Sequence, residues 1–192
     1  VAVRVHPVEH PSFFHDMALI AGKAGDRLTH IMVPKVESVR DVIQAEKALL
    51  RASAGHLPLH VLIESPAAVH RAFEIASHPR VQSLSFGLMD FVSAHGGAIP
   101  SAGMGVVGQF THPLVVRAKL EIASACHAHG KVPSHCAVTE FSDPAALSAA
   151  ALKAANELGY CLLYPSDAAD HLPRADTGVR GASKSTGMTR SC

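Results

Sequence analysis

The sequence predicts an α/β fold built around a parallel β-sheet. Three observations support this class: short apolar runs recur along the chain, each run is continuously apolar, and amphipathic stretches of a dozen or more residues separate the runs. The residues AVILMFWYC make up 48% of the 192 residues, and only 17% of the residues are charged. That balance supplies a hydrophobic core and excludes a disordered chain.

The predicted strands and helices follow one another in order. The strands are expected over residues 1–5 (VAVRV), 30–36 (HIMVPKV), 57–64 (LPLHVLIE), 82–88 (QSLSFGL) and 131–135 (KVPSH). The helices are expected over residues 12–24, 38–54, 66–77, 112–129 and 143–158. Asp143 followed by Pro144 is typical of a helix start, and Gly130 and Gly159 lie where helices should stop. The strand spacing suits a (β/α) barrel and a doubly wound sheet equally well.

Charge, hydropathy and cysteine spacing exclude several classes of function. The formal net charge is +1, which argues against a nucleic-acid surface or an electrostatic membrane anchor. No window approaches the roughly 18–20 apolar residues of a membrane helix. The four cysteines match neither zinc spacing nor a dense disulfide framework, so we expect reduced thiols and a cytoplasmic protein. No Gly-x-Gly-x-x-Gly follows the first strand, which disfavours dinucleotide binding.

Polar residues at the carboxyl ends of the predicted strands are the candidate site residues, because parallel α/β folds place active sites there. They are Arg4, Lys35, Glu37, Glu64, Asp90 and His135. Glu64 and Asp90 each follow an apolar run, where a buried carboxylate needs a partner or a metal. Two such carboxylates favour a Mg²⁺ site, and Arg4 is suited to hold a carboxylate or a developing oxyanion.

Each of these candidates also has a purely structural interpretation. A glutamate such as Glu64 at a strand end is often a helix cap or an ion-pair partner. Arg4 on its own would form a structural ion pair. Lys35 and Glu37 would contribute little to stability if they merely paired with each other at the surface.

The histidines and cysteines point less clearly to chemistry. The 14 histidines are scattered, so their number is no evidence for a metal. His95 and His135 are candidate acid–base groups, because imidazole titrates near neutral pH. Cys126 and Cys136 are expected to be small core residues rather than nucleophiles.

Four segments of the sequence occur in the order found in one known family. They cover residues 3–7 (VRVHP), 31–38 (IMVPKVES), 62–65 (LIES) and 86–91 (FGLMDF). This series resembles the HpcH/HpaI aldolase family over about residues 1–160. It resembles in particular the branch that is similar to the citrate lyase beta subunit and to malyl- or citramalyl-CoA lyases.

The resemblance implies a (β/α)₈ TIM barrel in which Glu64 and Asp90 hold Mg²⁺. Arg4 matches the family's arginine, which implies contact with the substrate and its enolate oxygen. Lys35 and Glu37 match a strand-end lysine and glutamate, which we expect to bind substrate. His6 departs from the family, which usually has asparagine at this position.

The resemblance further implies a carbon–carbon lyase that cleaves a 3-hydroxyacyl-CoA to an acyl-CoA and a 2-oxo acid. The family also implies a homo-oligomer, a trimer or a hexamer. One alternative is a Mg²⁺-dependent pyruvate-type aldolase that acts on a free hydroxy-oxo acid. Another is an inactive fragment of such an enzyme. The sequence does not identify the general base.

The two ends of the chain depart from the family pattern. Members of the family begin with about two further βα units and end in a segment that does not follow residue 160 here. Against the roughly 250 residues of a closed barrel, 192 residues predict a truncated barrel with about strands 3–7 present. The lyase domain is therefore expected over residues 1–160, and residues 161–192 are expected to form a disordered tail.

Overall fold

The structure is a computed structural model that describes residues 1–138 and 143–163. Its centre is one sheet of six parallel strands. They are Ala2–Arg4 (β1), His30–Val33 (β2), Leu59–Ile63 (β3), Val81–Phe86 (β4), Val132–His135 (β5) and Leu162–Leu163 (β6). The predicted parallel α/β fold is therefore confirmed. Beyond its first three residues, the predicted tail over residues 161–192 lies outside the described residues.

The strand order distinguishes the two architectures that the sequence left open. Each strand pairs in parallel with the next one along the chain, so the order is β1-β2-β3-β4-β5-β6. A doubly wound sheet reverses its strand order at a switch point, and no reversal occurs among these strands. The doubly wound alternative is therefore wrong for the described part of the chain. The carboxyl ends of consecutive strands lie side by side along one edge.

The helices connect the strands. They are Phe13–Asp16 (α1), Gly22–Ala24 (α2), Val39–Arg51 (α3), Pro66–His70 (α4), Ala72–Ser77 (α5), Leu88–Ala94 (α6), Pro113–Ala128 (α7) and Pro144–Leu158 (α8). The predicted helix over residues 12–24 contains a π-helical segment at Met17–Ala21, and the one over residues 66–77 is interrupted at Arg71. None of the described helices is long and apolar enough to cross a membrane.

Local signals in the sequence explain where the main helices begin and end. Ser38 and Asp41 form a capping box at the start of α3. Asp143 caps α8 by accepting hydrogen bonds from the next backbone N–H groups at 2.9 and 3.1 Å, and Pro144 occupies the first turn. Gly159 ends α8 with a φ of 71°, a left-handed conformation that favours glycine. The predicted limits of α8 are therefore confirmed.

Two elements were not predicted. The strand β6 pairs with β5 through Ser134↔Leu162 and His135↔Leu163. Two residues are too few to produce a recognisable apolar pattern. The helix α6 was also missed, because its sequence, LMDFVSA, continues directly from an apolar strand. The missed helix matters, because Asp90 lies in its first turn.

The core lies between the sheet and the long helices. Alternate residues of the strands, such as Ile31, Val61 and Leu84, are fully buried against apolar residues of α3, α5 and α7, such as Leu49 and Ile122. Side chains alternate between the two faces of a strand, so the other face carries a second set of residues. That set is more polar and includes His60, Glu64, Ser83, Ser85 and Ser134, all of them buried.

Candidate active site

Four of the predicted site residues meet at the carboxyl edge of the sheet. Arg4 ends β1, Lys35 follows β2, Glu64 follows β3, and Asp90 lies just beyond β4. All four line one cavity of about 560 Å³. They come from four successive strands, so the strand order itself produces the cluster.

Glu64 is the buried acid of this cluster. Only 7% of the residue is exposed, and its Oε2 accepts a hydrogen bond from the backbone N–H of Lys35 at 2.7 Å. Burial raises the pKa of Glu64, and the neighbouring Asp90 carboxylate raises it further. The Lys35 N–H and the positive charges of Lys35 and Arg4 oppose that rise without cancelling it. A buried carboxylate of this kind gains from a bound cation.

Gly87 makes room for the Glu64 side chain. A Cβ placed on Gly87 would lie 2.7 Å from Glu64 Oε1 and would also collide with Glu64 Cγ. Gly87 has a φ of −88°, which other residues adopt readily, so close approach and not backbone conformation requires glycine here. The glycine after β4 therefore positions a carboxylate on β3.

Replacing Gly87 with alanine is expected to displace Glu64 and weaken metal binding, because the added methyl group occupies the space of the carboxylate. Overpacking of this kind costs about 1–3 kcal/mol. Calorimetric titration with Mg²⁺ and urea unfolding would measure both effects. Gly105→Ala is the matched control, since its Cβ would lie 3.4 Å from the nearest atom, Ala102 O. Equal Mg²⁺ affinity in the Gly87→Ala variant and the wild type would contradict the role of Gly87.

Asp90 is the more exposed acid of the cluster. Its Oδ1 lies 3.5 Å from Lys35 Nζ, and each side chain is about half exposed, at 52% and 57%. A surface pair of this kind contributes little to stability. An ion pair between Lys35 and Glu37, the purely structural alternative for these two residues, is not found among the described residues, because Lys35 faces Asp90 instead.

Arg4, Glu64 and Asp90 also line a second, smaller cavity of about 180 Å³ that adjoins the first. Ser85, Leu88 and Cys136, which follows β5, also line it. The two carboxylates and the arginine thus face both cavities. A ligand that fills both would extend from the strand ends toward β5.

Glu37 lies outside this cluster. Its Oε2 accepts a hydrogen bond from Ser65 Oγ at 2.6 Å, and its backbone oxygen accepts one from Arg71 Nη1 at 3.1 Å. It lines a separate cavity with residues of the loop that follows β1. The structure therefore brings Lys35 into the cluster with Arg4 and leaves Glu37 beside it.

The two candidate acid–base histidines do not line the cavity that holds Arg4 and Glu64. His95 ends α6, and its Nδ1 lies 2.7 Å from the backbone oxygen of Phe91. His135 is the last residue of β5 and is fully buried. Its Nε2 accepts a hydrogen bond at 2.8 Å from Nζ of Lys119, which lies on α7. Cys126 and Cys136 are buried, as expected of core residues.

The donor set of the cluster fits Mg²⁺. Glu64 and Asp90 offer carboxylate oxygens, the ligands that a hard cation prefers. The described residues contain no group of three or more histidine, cysteine, aspartate or glutamate side chains arranged to hold a metal. Mg²⁺ typically takes one or two carboxylates and completes its coordination with water and substrate oxygens, so two protein ligands are sufficient.

Sequence reasoning missed Asp16 as a residue of the cavity. Asp16 ends α1 and lines the cavity of about 560 Å³ together with Arg4 and His6. It lies in a helix rather than at a strand end, so the rule that found Glu64 and Asp90 does not reach it. Asp16 lies ten residues after His6 in the sequence, and no local sequence pattern marks it as a site residue.

Two features define the class of the protein. Its parallel strands follow the order of the chain, and basic and acidic side chains meet at the carboxyl edge of the sheet. It is an α/β protein whose site is suited to bind Mg²⁺ and an anionic substrate. A model of the HpcH/HpaI aldolase/citrate lyase family matches residues 1–154, and the chain belongs to this family. The resemblance carried by the VPKVES and FGLMDF segments is thereby confirmed.

Curated relatives with similar sequences are lyases. The chain is 30% identical over 187 residues to L-malyl-CoA/beta-methylmalyl-CoA lyase of Cereibacter sphaeroides, with 88% of this chain and 58% of that protein covered. It is also 30% identical over 109 residues to malyl-CoA/beta-methylmalyl-CoA/citramalyl-CoA lyase of Chloroflexus aurantiacus, covering 54% of this chain and 31% of that protein. The chain thus spans little more than half the length of the first of these relatives.

Solved structures of citrate lyase proteins share the fold. A citrate lyase from Burkholderia xenovorans superimposes with a TM-score of 0.80 at 45% identity, covering 85% of this chain and 52% of that one. The citrate lyase beta subunit of Mycobacterium tuberculosis, in complex with oxaloacetate and magnesium, gives a TM-score of 0.68 at 22% identity. That superposition covers 84% of this chain and 65% of the subunit.

Proposed function

We propose that the protein is a Mg²⁺-dependent carbon–carbon lyase that cleaves a 3-hydroxyacyl-CoA to an acyl-CoA and a 2-oxo acid. The observation that carries this proposal is the meeting of Glu64, Asp90 and Arg4 at one cavity. The similarity to malyl-CoA lyases supports the CoA-ester substrate. The magnesium bound by the M. tuberculosis citrate lyase beta subunit supports the choice of metal.

The two carboxylates account for metal binding and the two cations for substrate binding. Glu64 and Asp90 would hold Mg²⁺, which supplies a Lewis acid that polarises carboxylate and hydroxyl oxygens of a substrate when bound. Lys35 places an ammonium group at the mouth of the cavity, where it attracts the carboxylate of a hydroxy acid. Glu37 lines the neighbouring cavity together with Lys35, so it would contact a substrate that extends past Lys35 into that cavity.

Arg4 is suited to stabilise the negative charge that develops when the carbon–carbon bond breaks. Cleavage leaves the electron pair of the carbon–carbon bond on the acyl-CoA fragment as an enolate, whose charge resides largely on the thioester oxygen. The guanidinium of Arg4 faces both cavities and is able to donate hydrogen bonds to that oxygen. A fixed cation at this position stabilises the charge as it develops.

The family supports a larger assembly around this site. We infer that residues 1–160 form the lyase domain and contribute consecutive strands to a (β/α)₈ barrel. The strand order of the described sheet agrees with that architecture. We also infer a cytoplasmic homo-oligomer, a trimer or a hexamer as the family implies.

Carbon–carbon bond cleavage in the CoA ester is expected to require Mg²⁺. The assay compares L-malyl-CoA, beta-methylmalyl-CoA and citramalyl-CoA with matched free hydroxy-oxo acids, and measures the 2-oxo acid released. We expect release of the 2-oxo acid from the CoA esters that EDTA abolishes and added Mg²⁺ restores, because Mg²⁺ would supply the Lewis acid that Glu64 and Asp90 are placed to hold.

Other outcomes of this assay would overturn particular parts of the proposal. Faster turnover of the free acids would identify a pyruvate-type aldolase. Activity that persists in EDTA would refute the metal. A protein that cleaves none of these compounds, and whose thermal midpoint Mg²⁺ leaves unchanged, would be an inactive relative of the family.

A further inference from the structure

An imidazole–carboxylate pair lies at the edge of the candidate active site. His6 Nδ1 lies 2.6 Å from Asp16 Oδ2, and the same oxygen accepts a hydrogen bond from the His6 backbone N–H at 2.9 Å. Burial raises the pKa of Asp16, but the two contacts with His6 outweigh that effect and hold the pKa below its ordinary value. Asp16 is therefore an ionised carboxylate that accepts a hydrogen bond from Nδ1–H of His6.

The position of the His6 ring is fixed from two sides. Asp16 holds Nδ1, and the ring of His10 stacks on the imidazole at a centroid distance of 4.1 Å with an interplanar angle of 11°. With the proton on Nδ1, Nε2 of His6 carries a lone pair. No hydrogen bond to Nε2 is found within residues 1–138 and 143–163. This nitrogen is free to exchange a proton with a ligand.

The imidazole and the substrate-binding groups share one cavity. His6 and Asp16 line the same 560 Å³ space as Arg4, Glu64 and Asp90. The His6 side chain is 49% exposed, so a ligand in that space can reach it. His95 and His135 are held elsewhere by Phe91 O and Lys119.

We propose that His6 transfers the proton in the lyase reaction and that Asp16 positions it, an inference that rests on the proposed function. His6 Nε2 accepts the proton of the substrate hydroxyl. The oxygen forms the carbonyl of the 2-oxo acid while the carbon–carbon bond breaks and its electron pair forms the enolate. The imidazolium then returns the same proton to the enolate carbon, which gives the acyl-CoA and neutral His6.

This sequence of steps needs no other acid or base. Before cleavage the hydroxyl oxygen and the carbon that receives the proton are both bonded to the same carbon atom of the substrate, so one nitrogen is able to serve both. Asp16 stabilises the imidazolium between the two transfers by its negative charge. It also keeps the proton on Nδ1 at the beginning and the end.

The test compares His6→Ala and Asp16→Asn with the wild type and with His70→Ala, a substitution of an exposed histidine on α4. For His6→Ala we expect kcat to fall by roughly 10²–10⁴-fold with little change in KM. Incorporation of deuterium from D₂O into the α-carbon of the acyl-CoA should fall by a similar factor. The His70→Ala control should retain wild-type values in both assays.

A nitrogen-15 NMR experiment on the metal-free protein tests the role of Asp16 without relying on activity. The wild type should show His6 as the Nδ1–H tautomer, and Asp16→Asn should shift the population toward Nε2–H and lower kcat. Wild-type kcat and exchange in His6→Ala, or an unchanged tautomer in Asp16→Asn, would refute the pair and leave the proposed function intact. A wild-type protein that releases no 2-oxo acid from any 3-hydroxyacyl-CoA would refute both.

Discussion

Replacing Asp90 with asparagine is expected to slow carbon–carbon bond cleavage in the 3-hydroxyacyl-CoA by roughly 10³-fold and to remove stabilisation by Mg²⁺. Glu64 and Asp90 are the two carboxylates that follow strands β3 and β4 at this cavity, whereas Asp16 is paired with His6, and Glu64 alone is a poor site for a hydrated divalent ion. A bound metal contributes several kcal/mol to the transition state, and each tenfold change in rate corresponds to about 1.4 kcal/mol.

Two measurements separate loss of the metal from loss of the fold. The wild type should gain thermal stability with increasing Mg²⁺, and Asp90→Asn should gain none while unfolding cooperatively without metal. Because Asp90 is about half exposed and the ion pair found for it among the described residues is with Lys35, the substitution should cost little stability. Asp26→Asn, an exposed aspartate distant from the cavity, is the matched control. Undiminished Mg²⁺ stabilisation in Asp90→Asn would rule out Asp90 as a ligand.

Acidification from pH 6.5 to 4.5 is expected to lower the free energy of unfolding by about 4 kcal/mol, about 2 kcal/mol from each of two buried histidines. His60 is 5% exposed, its Nδ1 contacts Ser83 Oγ at 2.5 Å, and its Nε2 is buried without a hydrogen-bond partner among the described residues. Burial lowers the pKa of His60 to about 4. Burial, and next the charge of Lys119, also lower the pKa of His135.

The sign follows from proton binding in the two states. Between pH 6.5 and 4.5 the unfolded chain binds protons at His60 and His135 and the folded chain does not, so stability is present above pH 6.5 and is lost as the pH falls. His30, whose pKa burial also lowers, acts in the same direction. Glu64 opposes the effect, because its pKa is raised in the folded state. Asp16, with a lowered pKa, loses its contribution only at lower pH.

Urea unfolding at pH 7 and pH 4.5 would measure this dependence. His60→Asn should reduce the difference in unfolding free energy between the two pH values by about half, because one of the two buried bases is gone. His56→Asn, at an exposed position, should leave the difference unchanged. Equal stability of the wild type at both pH values would show that these histidines are protonated in the folded protein.

The strand-end residues of the site could be predicted from sequence because two independent patterns coincide there. Apolar runs give the strands, and parallel strands place their carboxyl ends on one edge, so the sequence predicts that Arg4, Glu64 and Asp90 lie close together. The structure brings them together at one cavity. Glu37 follows the same pattern, but the hydroxyl of Ser65 holds it in a neighbouring cavity. A strand-end rule does not specify the direction of a side chain within a loop.

The sequence by itself determined the parallel α/β class, the family and the acidic and basic residues at the strand ends, because these depend on local periodicity and on short motifs. Only the tertiary structure decided which strands are neighbours, that Gly87 makes room for Glu64, and that Asp16 orients His6. It also buried Lys119 fully beside His135. The physical reason is that burial, desolvation and close approach are properties of groups distant in sequence, and no local pattern records which of them will meet.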